Sequence, residues 1–208
     1  MATTDNSPAQ KSTDLPVRTR LIDAAAGLFA VKGFGGVSVR EICKLADTSI
    51  NMIHHHFGNK QGLLDAIVLR FGESVYTVPM RLMATPARSA DDLTARIELL
   101  FETTLEACLA ERDVLMVVLR EQFELPPISA FQKMLVAFLE EAKRNGLVRE
   151  ALDSSMISGA MLDRIINQAQ FAPWIKLTSG YDIAADSEYR QRWCRANADL
   201  FLNGLKSR

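Results

Sequence analysis

Apolar residues recur every three or four positions along almost the whole 208-residue chain, and this periodicity decides what it can fold into. Helical residues lie ~100° apart, so that spacing gathers apolar side chains on one face of each helix. Alternating β-branched or aromatic runs, which a half-buried strand needs, are scarce. The expectation is an all-α protein. A hydrophobic content of 48% with 24% charged residues suits a globular chain with a proper core. No apolar run approaches the ~18 residues of a membrane span. The opening MATTDNSPAQKSTDLP lacks an apolar leader region and reads as a disordered tail over residues 1–15. Cys43, Cys108 and Cys194 are odd in number and far apart, which suits a reducing cytoplasm and no disulfide framework.

Punctuation divides the pattern. A first helix starts after Pro16 with Leu21, Ile22, Ala25, Leu28 and Phe29 on one face, and Gly33 stops it. In SVRE, Ser38 is an N-cap and Glu41 sits at the third helical position, a capping box. Val39, Ile42, Cys43 and Ala46 form the inner stripe of this short second helix. A break at Asp47-Thr48 precedes a third helix capped by Ser49, with Ile53 and Phe57 inward, which Gly58-Asn59 ends. A fourth runs from about Lys60 to Ser74, and TVPMRLMATPARSADD, with two prolines, reads as a connection. Longer helices follow: one from an Asp91 or Asp92 cap to about Ala110, then Asp113 to Phe123. Three more cover Ser129 to Asn145, Ser154 to Phe171 and Ser187 to Lys206, the last two separated by a loop holding Pro173, Gly180 and Tyr181.

All three histidines stand side by side as His54, His55 and His56. Adjacent helical residues fan outward, whereas a helical metal pair needs i, i+4 spacing with further ligands a turn away. No Cys, Asp or Glu supplies those ligands, and nothing in sequence orients the rings for catalysis. A solvated face is one remaining reading. The other is a helix-turn-helix, whose second helix enters the DNA major groove. With Ile53 and Phe57 inward, Asn51, Met52 and His55 point away from the core. Asn can pair with adenine, Met can touch a thymine methyl, and imidazole can reach phosphate or guanine. The net charge of −1 gives no nucleic-acid footprint in bulk, so this case rests on local placement.

The stretch KGFGGVSVREICKLADTSINMIHHHFGNKQGLLDAI resembles the signature of the TetR family of bacterial transcriptional regulators, and TRLIDAAAGLFAVKGF resembles that family's first helix. The resemblance covers about residues 16–71. It implies an N-terminal helix-turn-helix DNA-binding domain over residues 16–62 and a helical ligand-binding and dimerisation domain over 63–208. Carried over by position, it places Ser38 and Lys60 on phosphates and Arg40 on a guanine. Ile50, Asn51, Met52, His54, His55 and His56 then form the reading face. The pattern departs at Ile50, Asn51 and His54, where Lys, Gly and Tyr are common. In place of the usual Ala, Cys43 reads as a small buried side chain.

The same resemblance implies dimerisation through the last two helices. Ser158, Gly159 and Ala160 form a small-residue patch on one, and Trp193 and Phe201 lie on the other. Pocket candidates are Met116, Phe123, Phe131, Met134 and Phe138, with core packing as the alternative for each, and Arg120, with a surface position as its alternative. Glu98, Glu102 and Glu106 stack at i, i+4 and read as a solvated face. The function implied is a ligand-responsive repressor that binds a palindromic DNA operator as a homodimer and is released by a small-molecule effector. No metal or cofactor is expected, nor an enzyme. The alternative is a DNA-binding protein of the same fold without an effector, serving chromosome organisation or controlled by a protein partner.

Overall fold

The structure, a computed structural model, describes residues 16–121 and 126–203. The expected tail, Phe123 and the end of the last helix lie outside them. The described residues form ten helices and no strand: α1 (Val17–Lys32), α2 (Val39–Leu45), α3 (Ile50–Phe57), α4 (Lys60–Met83), α5 (Ala90–Ala110), α6 (Arg112–Glu121), α7 (Pro126–Arg144), α8 (Ser154–Gln170), α9 (Ala172–Ser179) and α10 (Ser187–Asn203). They sort into two compact units, Met1–Phe71 with Asp113–Phe123 and Gly72–Arg112 with Glu124–Arg208. The division therefore falls inside α4, against a boundary expected at residue 62. It also returns α6 to the first unit.

In the first unit, Leu21, Ile22, Ala25 and Phe29 of α1 are buried with Ile42 of α2, Ile53 of α3 and Leu63, Leu64 and Ile67 of α4. Each of the Leu, Ile and Phe side chains contributes ~1.5–3 kcal/mol on leaving water. That sum holds two very short helices which would not persist alone. Local chemistry sets their ends. The Ser38–Glu41 capping box starts α2 as its sequence requires. Asp47 then adopts the left-handed conformation (φ 48°), and the Thr48 N–H donates to the Cys43 carbonyl at 3.0 Å, closing a Schellman turn. Asp tolerates that backbone better than a branched residue does. Asn59 accepts from the Gly62 N–H at 2.9 Å, so it caps α4 as well as following α3.

In the second unit, α5 packs against α8 and α10, α7 against α8, and α9 against α8. Leu93, Ile97, Leu100, Phe101, Thr104, Leu105 and Cys108 form the buried stripe of α5. The Phe101 ring meets Trp193 edge-on at 5.9 Å and stacks on Phe201 at 5.8 Å.

Three expectations are corrected. First, α4 runs through Pro79 to Met83, because Val75, Tyr76, Pro79 and Met83 recur on one face and are buried together. Arg96 secures its end, donating to the Leu82 and Thr85 carbonyls at 2.9 and 2.8 Å. Second, Ser89 caps α5, accepting from the Asp92 N–H, and Asp91 and Asp92 lie in the first turn. Third, the loop expected around Pro173 holds α9. Proline is tolerated in a first helical turn, where its missing N–H would have no partner anyway. None of the described helices is long and apolar enough to cross a membrane.

Candidate nucleic-acid interface

Helix α3 is anchored by one residue. Ile53 is 1% exposed, and Phe57 is half-buried with the Arg18 guanidinium 5.5 Å over its ring. The 100° step then fixes the outward positions. Ile50, Asn51, His54 and His55 are exposed, while Met52 and His56 are half-buried. The sequence therefore folds into a helix with one buried contact and a polar, ring-bearing outer face.

The histidines do different things. His54 donates from Nδ1 to the Gly58 carbonyl at 2.9 Å, which closes α3 and directs Nε2 toward solvent. His55 and His56 meet edge to face at 4.9 Å, and His56 leans on Phe57 at 6.0 Å. Among the described residues no group of three or more His, Cys, Asp or Glu is placed to hold a metal ion. Fanned rings offer donors and acceptors to an external surface, which is the chemistry of base-edge and phosphate contact.

Ser38 and Lys60, expected on phosphates, are both engaged inside the unit. Ser38 Oγ accepts from the Glu41 N–H at 3.2 Å and donates to Glu41 Oε2 at 2.8 Å. Lys60 Nζ donates to the Phe34 and Val37 carbonyls at 2.8 Å each and lies 4.2 Å from the centroid of the Phe34 ring. The ammonium has a third N–H for an external acceptor. Its first task is to hold the glycine-rich turn between α1 and α2. Arg40 is exposed, and so is Ser49, which occupies the N-cap of α3 without a side-chain cap hydrogen bond. A hydroxyl that does not cap its own helix can donate to an external acceptor at that helix start.

Arg20 carries no signal in the sequence. From α1 it donates to the Ala46 carbonyl at 3.0 Å and the Asp47 carbonyl at 3.3 Å, tying the α2–α3 turn to the first helix. Gly62 is a second residue that sequence reasoning misses. A Cβ there would lie 2.0 Å from the Phe57 carbonyl oxygen, so only glycine lets α4 start this close to the end of α3.

Arg120, expected in an effector pocket, belongs to this unit instead. Its Nη1 donates to the Phe29 carbonyl at 3.3 Å, and neighbouring Glu121 accepts from the Phe34 N–H at 3.2 Å. Helix α6 thus secures the end of α1 and the turn after it. The half-buried Met116 lies on the same helix. In the second unit, Phe131 is fully buried against Tyr76 at 5.1 Å, Phe138 lies under the Arg96 guanidinium at 6.0 Å, and Met134 is half-buried.

The dimer candidates also divide. Ser158 is fully buried and donates to the Ser155 carbonyl, and Trp193 is 8% exposed against Phe101. Both are covered by their own chain. Ala160 is exposed, Gly159 and Phe201 half-buried. Burial pushes the Cys43 thiol up and those of Cys108 and Cys194 up to about 12, so all three stay protonated. Glu106 holds Arg190 at 3.0 Å.

Residues 21–67 match the model of the tetR family of bacterial regulatory proteins. The HTH-type transcriptional regulator UidR of Escherichia coli (strain K12) is 25% identical over 156 residues, 71% of this chain and 77% of its own. The HTH-type transcriptional repressor KstR2 of Rhodococcus jostii (strain RHA1) is 28% identical over 146 residues, covering 65% and 70%. Among solved structures, the TetR family regulator PfmR from Thermus thermophilus has a TM-score of 0.73 at 19% identity, over 93% of this chain and 100% of that one. The regulator FadR from Bacillus subtilis, solved in complex with stearoyl-CoA, has a TM-score of 0.66 at 18% identity, over 90% and 99%. These likenesses show a shared fold of an N-terminal helix-turn-helix followed by a helical domain.

Proposed function

Because this chain belongs to the TetR family of bacterial regulatory proteins, we propose that it is a ligand-responsive transcriptional repressor of the cytoplasm. It binds a palindromic operator as a homodimer and leaves it when a small molecule is taken up. The observation that carries the reading is helix α3, pinned by Ile53 and presenting Asn51, His54 and His55 outward. Asn51 and His55 read base edges; Ile50 and Met52 supply apolar contact to thymine methyls. Arg40, Ser49, His54, His56 and the third N–H of Lys60 serve the backbone, with Ser38 holding α2 in place. Two copies double these contacts across half-sites about 34–36 Å apart.

An apolar, acyl-type effector fits the second unit. The FadR relative was solved with stearoyl-CoA. In this chain Thr104, 2% exposed on α5, has a hydroxyl without a hydrogen-bond partner in an otherwise apolar stripe. A buried polar group left unsatisfied calls for a ligand or an ordered water. The effector shifts the protein away from the DNA-competent state only by its differential affinity for the two states.

The test begins by selecting an operator from random duplexes with the purified protein. Titration of the complex with acyl-CoA thioesters of increasing chain length follows. Release at micromolar concentrations, with half-release falling as the chain lengthens, supports the reading. Selection of no sequence above background sinks the DNA-binding half, and indifference to every thioester sinks the acyl effector.

A further inference from the structure

Two buried polar side chains of α8 and α10 are spent within the chain. Ser158 donates to the Ser155 carbonyl at 2.9 Å, and Asn197 accepts from Arg164 while donating to the Trp193 carbonyl at 2.8 Å. Gln168 differs. It is 4% exposed, yet its carboxamide has no hydrogen-bond partner among the described residues. That group offers two N–H donors and a carbonyl acceptor. Burial without a partner is rare for it and points to something from outside the chain.

Gln168 lines an open groove of ≈ 610 Å³ with Arg164, Asn167, Phe171, Trp174 and Ile175. Small-molecule sites run from roughly 300 to 1,000 Å³ and combine apolar walls with a few placed polar groups. This groove has that make-up. Arg164 and Gln168 stand one turn apart on α8 and Phe171 follows three residues on, so one face presents guanidinium, carboxamide and ring in order. Helix α9 adds Trp174, 62% exposed, and the half-buried Ile175. The guanidinium is fixed but not spent. Its Nε donates to Asn197 Oδ1 at 2.9 Å and its plane lies 5.2 Å over the Trp193 ring. Among the described residues its Nη groups have no acceptor and it forms no ion pair.

We propose that the α8–α9 groove binds a flat aromatic acid. The carboxylate takes the Nη fork of Arg164, a charge-assisted pairing that a planar guanidinium suits. The ring lies against Phe171 and Trp174, whose faces favour an aromatic body. A polar ring edge, such as a ring N–H beside the carboxylate, pairs with the Gln168 carboxamide one turn away. A purely aliphatic acid would leave that carboxamide unmatched. A phosphate-bearing ligand would call for more cationic charge, and Lys176 of α9 is already paired with Asp182 at 2.6 Å. The site is distinct from the α5 hydroxyl assigned above to an acyl effector, since its described lining belongs to α8 and α9 with the Phe171 link.

The full chain has two tryptophans, Trp174 and Trp193, so 5-fluorotryptophan labelling gives two fluorine resonances, assigned with Trp174→Phe. Titration with indole-2-carboxylate should move the Trp174 resonance saturably, with half-saturation below ~1 mM. Its neutral counterpart, indole-2-carboxamide, should bind about tenfold more weakly. In Arg164→Gln that preference for the acid over the amide should vanish. Gln168→Leu should bind the acid about tenfold more weakly while its Tm holds or rises, because the variant removes an unspent polar group. No saturable shift up to about 10 mM, ten times that bound, overturns the proposal. So does equal binding of acid and amide by the wild type, which needs no variant to fold. Decanoate binding as tightly as the aromatic acid overturns the ligand class. A Trp174 resonance that moves with protein concentration and not with the probe reports a second copy in the groove and overturns the site. None of these readouts involves DNA, so their outcome is independent of the repressor reading.

Discussion

Glu41 performs two jobs with two oxygens. Oε2 accepts from the Ser38 N–H and hydroxyl at 2.8 Å each, and Oε1 accepts from Lys32 at 2.8 Å. These partners hold its carboxyl at about 2, the Lys32 hydrogen bond first and the Ser38 backbone next. A depressed folded-state value means that the stabilising contribution is fully present above the ordinary carboxylate range. It is lost as pH falls from about 4.5 toward 2. Glu41→Gln should therefore melt below wild type at neutral pH, with the gap closing by pH 2, as thermal scans across pH will show. A gap that stays constant through that window would mean the carboxylate charge does not contribute. This residue was legible because its partner Ser38 is three positions away and the box is a local motif. Lys60, Arg20 and Arg120 were not. Their carbonyl acceptors lie 23 to 91 residues away, and an Arg or Lys in sequence carries no mark of whether its cation faces solvent or a helix end. The outward placement of His54 and His55 was legible, since the 100° step from an inward Ile53 sets it. The separate task of His54 at the end of α3 depends on Gly58 turning its carbonyl back, which no spacing rule reports.

At the scale of elements, two of the three misreadings share one cause: in sequence, proline reads as a stop. Pro173 falls in a first turn and Pro79 in the body of a helix, and the difference is energetic. An interior proline forfeits a backbone hydrogen bond and crowds the preceding turn, at a cost of ~3 kcal/mol. Here α4 continues because Tyr76 and Met83, on the same face, are 4% exposed each and hold both sides of the break. Pro79→Ala should restore the hydrogen bond to the Val75 carbonyl while giving up part of a buried ring. The balance favours the variant by about 1 kcal/mol, a rise of roughly 2–4 °C in Tm for a chain of this size. A fall in Tm would show that the packing of the Pro79 ring outweighs the bond it prevents. The helices most legible in sequence, such as α5 with its long stripe from Leu93 to Cys108, are those where one periodic face runs for several turns and tertiary contacts reinforce the local pattern.

For the whole molecule, the sequence shows which residues are apolar but not which surface buries them. Ser158 and Trp193 look equally fit for a partner and for the chain's own core, and the core takes both. The same ambiguity hid Thr104, a polar residue within an apolar stripe that reads as a neutral filler. Its buried hydroxyl now offers a test of effector binding that separates folding from function. An unsatisfied buried hydroxyl costs ~1–3 kcal/mol, and valine has nearly the same shape without the polar group. In the ligand-free protein Thr104→Val should then leave Tm unchanged or raise it by roughly 2–4 °C. If the effector supplies the missing acceptor, the variant loses one hydrogen bond in the complex, worth ~0.5–1.5 kcal/mol, or up to about tenfold in affinity. Operator release by a long-chain acyl-CoA should need a correspondingly higher concentration, while operator affinity without it stays as in wild type. Thermal scans and release titrations on the same preparations read both quantities. A destabilised ligand-free variant would show that the hydroxyl already has a partner in the fold, and an unchanged half-release concentration would place the effector away from α5.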